Sequence, residues 1–190
     1  METARAVGDR TRSEPTLRRP VVLVGMMGCG KTAVGTALAA HLGVPFRDTD
    51  AALEEAARMT VPEIFARDGE AFFRARETEV LARLLAEGPG ILSTGGGAFL
   101  RPENRALIRD WGVSVWLAAG LEILWSRVKG RTHRPLLMTD DPKGTLTRLL
   151  AEREPSYGRA DLRVEADADT SVADMAARVA GALRRAEVLA

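Results

Sequence analysis

Several things are scarce in this chain of 190 residues. Its single cysteine, Cys29, excludes an internal disulfide framework and any cysteine-rich zinc site. It also fits a reducing compartment, so the cytoplasm is the expected location. Excess charge of one sign is missing: 27 Lys and Arg stand against 26 Asp and Glu. A general nucleic-acid binder would need a surplus of positive charge to neutralise phosphates, so no nucleic-acid partner is expected. No apolar run approaches the length that spans a bilayer, so no membrane partner is expected either. Residues 1–19 lack the apolar stretch of a secretory signal, and Glu2, Asp9 and Glu14 count against a transit peptide. Met1 to Arg19 are expected to form a disordered leader, with residues 20–190 as one domain. The two histidines, His41 and His133, have no companions at metal-ligand spacing. Hydrophobic residues make up 46% of the chain and charged residues 28%, which excludes disorder over most of its length.

What is present alternates between strand and helix patterns. Val21-Val22-Leu23-Val24 is wholly apolar, as a strand buried on both faces should be. Further strands are expected at Val44–Arg47, Ile91–Thr94, Val113–Leu117 and Leu162–Ala166, the last with the looser alternation of an edge. Between them, helices are expected at Lys31–Leu42, from Pro62 to Gly69, and at Glu70–Ala86, Pro102–Trp111, Leu121–Lys129 and Lys143–Glu154. A last helix opens at the capping-box sequence Ser171 to Asp174 and runs to about Leu189. Strands alternating with helices imply an α/β fold with a parallel sheet and right-handed crossovers. Gly130 to Pro142 fits neither period, and a loop of that length in a compact domain is expected to be a lid or disordered. Trp111, Trp116 and Trp125 fall in or beside expected elements and are expected in the core.

The strongest motif is Gly25-Met26-Met27-Gly28-Cys29-Gly30-Lys31-Thr32, which fills every fixed position of a phosphate-binding loop between a strand and a helix. Its glycines let successive backbone N–H groups face a polyphosphate, and the helix presents its positive end. Lys31 supplies a point charge at the β- and γ-phosphates, and the Thr32 hydroxyl suits Mg²⁺. Cys29 is read as a small residue that fits the loop.

The remaining candidates surround that loop. Asp48 and Asp50 follow the second strand; if the segment stays extended, residues two apart face one way and both carboxylates reach one site. One could hold hydrated Mg²⁺ and the other an acceptor hydroxyl. Asp50 could equally cap the next helix, and both readings stay open. Arg74 and Glu77 lie three apart on a helix, close enough to pair. Gly95-Gly96-Gly97 after a strand gives up packing, which is best explained by close backbone approach to a ligand. Arg127, Arg131 and Arg134 bracket the irregular segment, where a mobile arginine could stabilise charge on a transferring phosphoryl group.

Taken in series, these motifs resemble the shikimate kinase family. The resemblance rests on the loop Gly25 to Thr32, Asp48-Thr49-Asp50, Ile64-Phe65, Gly69-Glu70, Phe73-Arg74-Ala75-Arg76-Glu77, Gly95-Gly96-Gly97, Arg134-Pro135-Leu136-Leu137 and Arg153-Glu154-Pro155-Ser156-Tyr157, and it covers about Pro20 to Ala166. It implies the three-layer P-loop kinase fold of nucleoside monophosphate kinases, with a five-stranded parallel sheet in the order 2-3-1-4-5. It also implies transfer of the γ-phosphoryl of ATP to the 3-hydroxyl of shikimate, a step of aromatic amino-acid biosynthesis. A substrate-binding insertion would span about 49–82 and a lid about 130–141. Gly28, Cys29, Gly30, Lys31, Thr32 and Ala33 would hold the phosphates, Thr32 and Asp48 would organise Mg²⁺, and Arg127 would pack on adenine. Asp50, Arg74, Arg153 and backbone from Gly96 and Gly97 would bind shikimate. Arg134 would be the lid arginine and, with Lys31 and Asp50, catalytic. A monomer is expected. The family's further adenine contact near the C-terminus has no matching motif, so no residue is assigned to it.

Other functions are weighed on the same residues. A gluconate-type or nucleotide kinase would share the phosphate loop, but the paired arginines and triple glycine favour a polyhydroxy carboxylate. A nucleotide-binding module without catalysis should have lost a charged site residue, yet Lys31, Asp50, Arg74, Arg134 and Arg153 are all present. A switch GTPase would need a guanine-specifying N-K-x-D, which does not occur.

Overall fold

The computed structural model describes residues 17–130 and 135–190. Five strands, β1 (Val21–Val24), β2 (Phe46–Asp48), β3 (Ile91–Ser93), β4 (Val113–Ala119) and β5 (Leu162–Ala166), form one parallel sheet in the order 2-3-1-4-5. The central strands β1, β3 and β4 are buried almost throughout, whereas β2 and β5, at the two edges, are half-exposed. That gradient is the physical reason the first strand reads as a continuous apolar run and the last as a loose alternation.

Among the described residues, seven α-helices cover the sheet: α1 (Lys31–Leu42), α2 (Thr49–Ala57), α3 (Val61–Ala86), α4 (Pro102–Trp111), α5 (Leu121–Val128), α6 (Pro142–Tyr157) and α7 (Val172–Arg185). Helix α1 packs on α7 and along β3, while α3 packs on α4, which reaches β4; with the sheet between them these give three layers. Capping chemistry sets most of the boundaries. Thr60 and Glu63 form a capping box at the start of α3, and Ser171 and Asp174 form another at the start of α7. Gly69, at φ 80°, breaks α3 into the two helical stretches that the sequence pattern separates. No helix among the described residues is long and apolar enough to cross a membrane.

Several expectations shift. Strand β2 begins at Phe46 rather than Val44, because Pro45 has no N–H and enters the sheet only through its carbonyl, which accepts from Ile91 N at 2.9 Å. Helix α6 continues through Pro155 to Tyr157 instead of stopping at Glu154, and thereby buries Tyr157 completely. Trp111 is not a core residue; it ends α4 at 56% exposure. The expected leader ends too late: Leu17 is buried, pairs with Leu189 in an antiparallel bridge, and is followed by Arg18, whose N–H donates to the Val188 carbonyl at 3.0 Å. The same contact explains why α7 ends at Arg185, since Glu187, at φ 56°, turns the chain back toward Leu17. Residues 1–16 of the expected leader lie outside the described residues.

Leu17 therefore belongs to the folded unit. Leu17→Ala is expected to cost about 2–4 kcal/mol, lowering Tm by roughly 5–10 °C in thermal unfolding. An unchanged Tm would place Leu17 outside the core.

Candidate active site

A cavity of about 490 Å³ opens over the carboxyl ends of the strands, where open α/β sheets bind their ligands. Its floor is the phosphate loop from Met27 to Thr32, with Ala33 and Val34 of α1. Gly25, Gly28 and Gly30 take φ of 140°, 84° and 98°, values that favour glycine, so the loop's shape depends on them. Helix α1 begins at Lys31 without a side-chain cap, leaving its first N–H groups turned to the cavity. The Lys31 ammonium is held by the carbonyls of Gly25 and Met26 at 2.8 and 3.2 Å. Arg127, from α5, reaches over the loop toward the Gly28 and Cys29 carbonyls at 3.5 and 3.4 Å.

The far wall was not legible in the sequence. Ala166 at the end of β5, Thr170 and Ser171 in the turn that follows, and Val172 and Met175 at the start of α7 line the same cavity as Arg127. They are small or apolar residues with no fixed motif. Their only signal was the Ser171 cap, which marked where the helix would start.

Asp48 and Asp50 both line the cavity, though not by the extended geometry expected. Helix α2 starts at Thr49, so Asp50 already lies in its first turn. Asp48 is the cap: one of its oxygens accepts from Asp50 N at 3.0 Å and Ala51 N at 3.2 Å. Its other oxygen accepts from Thr32 Oγ1 at 3.3 Å, and Ser93 Oγ lies 3.4 Å from the same hydroxyl. Asp50 is thus released from capping. Burial pushes its carboxyl up to about 6, helped by the negative charges of Asp48 and Glu77. Its Oδ1 is buried without a partner, and so is Oε1 of Glu77, a residue only 1% exposed.

These orphaned oxygens converge on the triple glycine. A β-carbon on Gly95 would sit 2.8 Å from Asp50 Oδ1 and 3.2 Å from Glu77 Oε1. One on Gly97 would sit 2.6 Å from Arg74 Nη2, and one on Gly96 would lie 3.6 Å from Arg153 Nη1. None of the three glycines has a positive φ. Gly95 and Gly97 are needed for space, because the protein's own charged side chains approach them, whereas a β-carbon at Gly96 would make only ordinary contacts. Arg74 is fixed in place by Glu77, Nη1 donating to Oε2 at 2.9 Å, and by stacking near Phe73, whose ring centroid lies 5.1 Å from its guanidinium carbon. Burial raises the Glu77 carboxyl and Arg74 opposes that rise. Arg74, Gly97 and Arg153 border the cavity rather than line it, whereas Gly95 and Gly96 line it. Arg131, His133 and Arg134 lie outside the described residues.

The raised Asp50 carboxyl has a consequence for stability. The folded state keeps this proton to about pH 6, while an unfolded chain loses it near its ordinary value of 3.8. Stability from this group therefore falls as pH rises between those values and stays low above them. Asp50→Asn is expected to raise Tm by a few degrees at about pH 8 and by roughly half as much at about pH 5. Equal or opposite shifts at the two pH values would show that Asp50 is not held at a cost.

Comparison with known proteins agrees with this geometry. The family model described as shikimate kinase matches residues 27–184. The shikimate kinase of Ruegeria pomeroyi is 59% identical over 167 residues, which cover 88% of this chain and 86% of that protein. The solved structure of shikimate kinase from Acinetobacter baumannii in complex with shikimate aligns with a TM-score of 0.84 at 35% identity, covering 89% of this chain and 94% of that one. A gluconokinase from Sinorhizobium meliloti aligns with a TM-score of 0.59 at 20% identity over 90% of this chain and 94% of its own, which shows a shared fold. On the family match and these identities, the chain belongs to the shikimate kinase family and is an ATP-dependent kinase.

Proposed function

We propose that this kinase phosphorylates shikimate at its 3-hydroxyl, giving shikimate 3-phosphate in aromatic amino-acid biosynthesis. The observation that carries the proposal is the convergence of Arg74, Arg153, Asp50 and Glu77 on Gly95–Gly97 at the edge of the phosphate-loop cavity. Two guanidiniums beside a strip of bare backbone suit a planar carboxylate, which they can hold by charge-assisted hydrogen bonds. Holding that end fixes which hydroxyl of a small ring faces Asp50. Gly96 and Gly97 add backbone donors at the same place.

At neutral pH Asp50, with its carboxyl at about 6, is largely ionised and can orient the acceptor hydroxyl and take its proton. Phosphoryl transfer proceeds through a loose transition state, so positioning and charge neutralisation contribute more than strong base catalysis. Lys31 supplies positive charge by exchanging the carbonyls of Gly25 and Met26 for phosphate oxygens. Gly28, Cys29, Gly30, Thr32 and Ala33 cradle the phosphates, and Arg127 faces the Ala166 to Met175 wall across the space for the base. Arg134 stands as the lid arginine on its sequence position, within the lid proposed at 130–141, and α2 with the first part of α3 supplies the substrate-binding insertion.

Thr32, Asp48 and Ser93 offer an all-oxygen set, which suits a hard divalent cation. Mg²⁺ arriving with ATP would neutralise phosphate charge there. Every named group comes from one chain, so a monomer in the cytoplasm, where ATP is abundant, suffices for the reaction.

The test is ADP release with Mg·ATP and a panel of shikimate, quinate, gluconate and AMP. Turnover dependent on shikimate is expected. Lys31→Ala should lower it by orders of magnitude, and Arg74→Ala should mainly raise the KM for shikimate, by about 10- to 100-fold for a lost charge-assisted contact. Turnover with a different acceptor would overturn the carboxylate clamp.

A further inference from the structure

Tyr157 is the only tyrosine in the chain, and it is fully buried behind the cavity. Its place is unusual for a core aromatic. It occupies the last position of α6, one turn beyond Arg153 on the same helix. Its hydroxyl donates to the Gly96 carbonyl at 2.6 Å. Around Gly96 Cα, groups from two other segments meet: a β-carbon there would lie 3.6 Å from Arg153 Nη1 and 3.8 Å from Tyr157 Oη, both of α6, and 3.8 Å from the Gly25 carbonyl oxygen of the phosphate loop. The Tyr157 ring leans on Trp116, their centroids 6.2 Å apart, and Trp116 in turn borders Gly25. The phenol thus touches the joint between the triple-glycine loop, the phosphate loop and the helix that carries Arg153.

We infer that Tyr157 is a positioning residue that locks the Gly96–Gly97 peptide and Arg153 in the orientation needed to bind the acceptor; this rests on the reading of that site given above. The peptide unit is planar and trans, so the Gly96 C=O and the Gly97 N–H point in opposite directions. A donor that grips the carbonyl from behind aims the Gly97 N–H toward the front. Between two glycines such a unit has no β-carbon to resist rotation, so an external grip is needed. Burial pushes the Tyr157 hydroxyl up to about 12, so it stays a donor throughout the working pH range.

Tyr157→Phe removes the hydroxyl and keeps the ring. Steady-state kinetics with both substrates, thermal unfolding and amide hydrogen exchange then separate positioning from simple stabilisation. The expected result is a KM for shikimate raised about tenfold, a KM for ATP changed less than about twofold, and faster exchange confined to the Gly95–Leu100 segment. A lower Tm with both KM values unchanged, or both raised equally with faster exchange throughout the sheet, would overturn the inference. If the wild-type enzyme uses no shikimate, the functional reading fails and the inference with it. If wild type uses shikimate and Tyr157→Phe matches it, the inference alone fails.

Discussion

Space at Gly95 and Gly97 is the constraint on which the rest of the acceptor side depends. The phosphate-loop glycines are required by backbone conformation, as their positive φ values show. The triple glycine is different. Gly97 has an ordinary φ of −94°, which any residue adopts, yet the Arg74 guanidinium occupies the place of its missing side chain. Gly95 similarly makes room for Asp50 and Glu77. Behind the loop, Asn104 is fully buried, donates to the Ala98 carbonyl at 2.9 Å and accepts from Thr78 at 2.8 Å. The bare strip is therefore held from both sides while charged groups close over it.

Those charged groups are stabilised only in part. Glu77 is buried with one oxygen bonded to Arg74 and the other unsatisfied, and Asp50 has a buried oxygen without a partner. Unsatisfied buried carboxylate oxygens cost free energy, which their raised pKa values reflect. Such a cost is offset when hydroxyl donors enter the site, so the same atoms that weaken the empty fold are prepared to bind a polyol. Asp48 shows the complementary solution. By capping α2 it satisfies one oxygen through backbone N–H groups and leaves the other for Thr32. Two neighbouring aspartates thereby acquire different roles from a difference of two positions at the start of one helix.

Much of this was legible in the sequence because it depends on local spacing. The phosphate loop, the Arg74 and Glu77 pair and the Ser171–Asp174 capping box need only a strand, a turn or a helix in the right place. The sheet order followed from the family resemblance. What local pattern could not show depends on contacts between distant segments. Leu17 is paired with Leu189, so its burial was invisible from its polar neighbours. Trp111 is apolar yet exposed: it is the last residue of α4, whose buried positions are Asn104 and Ile108. The capping role of Asp48 required knowing that the helix begins at Thr49. The Ala166 to Met175 wall has no distinctive residue, and its membership in the cavity is set by the crossover that returns β5 beside Arg127. The Tyr157 hydroxyl lies 61 positions from the carbonyl it grips.

The central claim, that the glycines exist to admit the charged side chains, is tested most directly by Gly97→Ala. Backbone strain is absent at this position, so the variant should fold with nearly unchanged Tm and bind ATP normally. Its methyl would displace the Arg74 guanidinium, and the KM for shikimate is expected to rise at least about tenfold, as for a lost charge-assisted contact. A Gly97→Ala enzyme with normal shikimate KM would contradict the account.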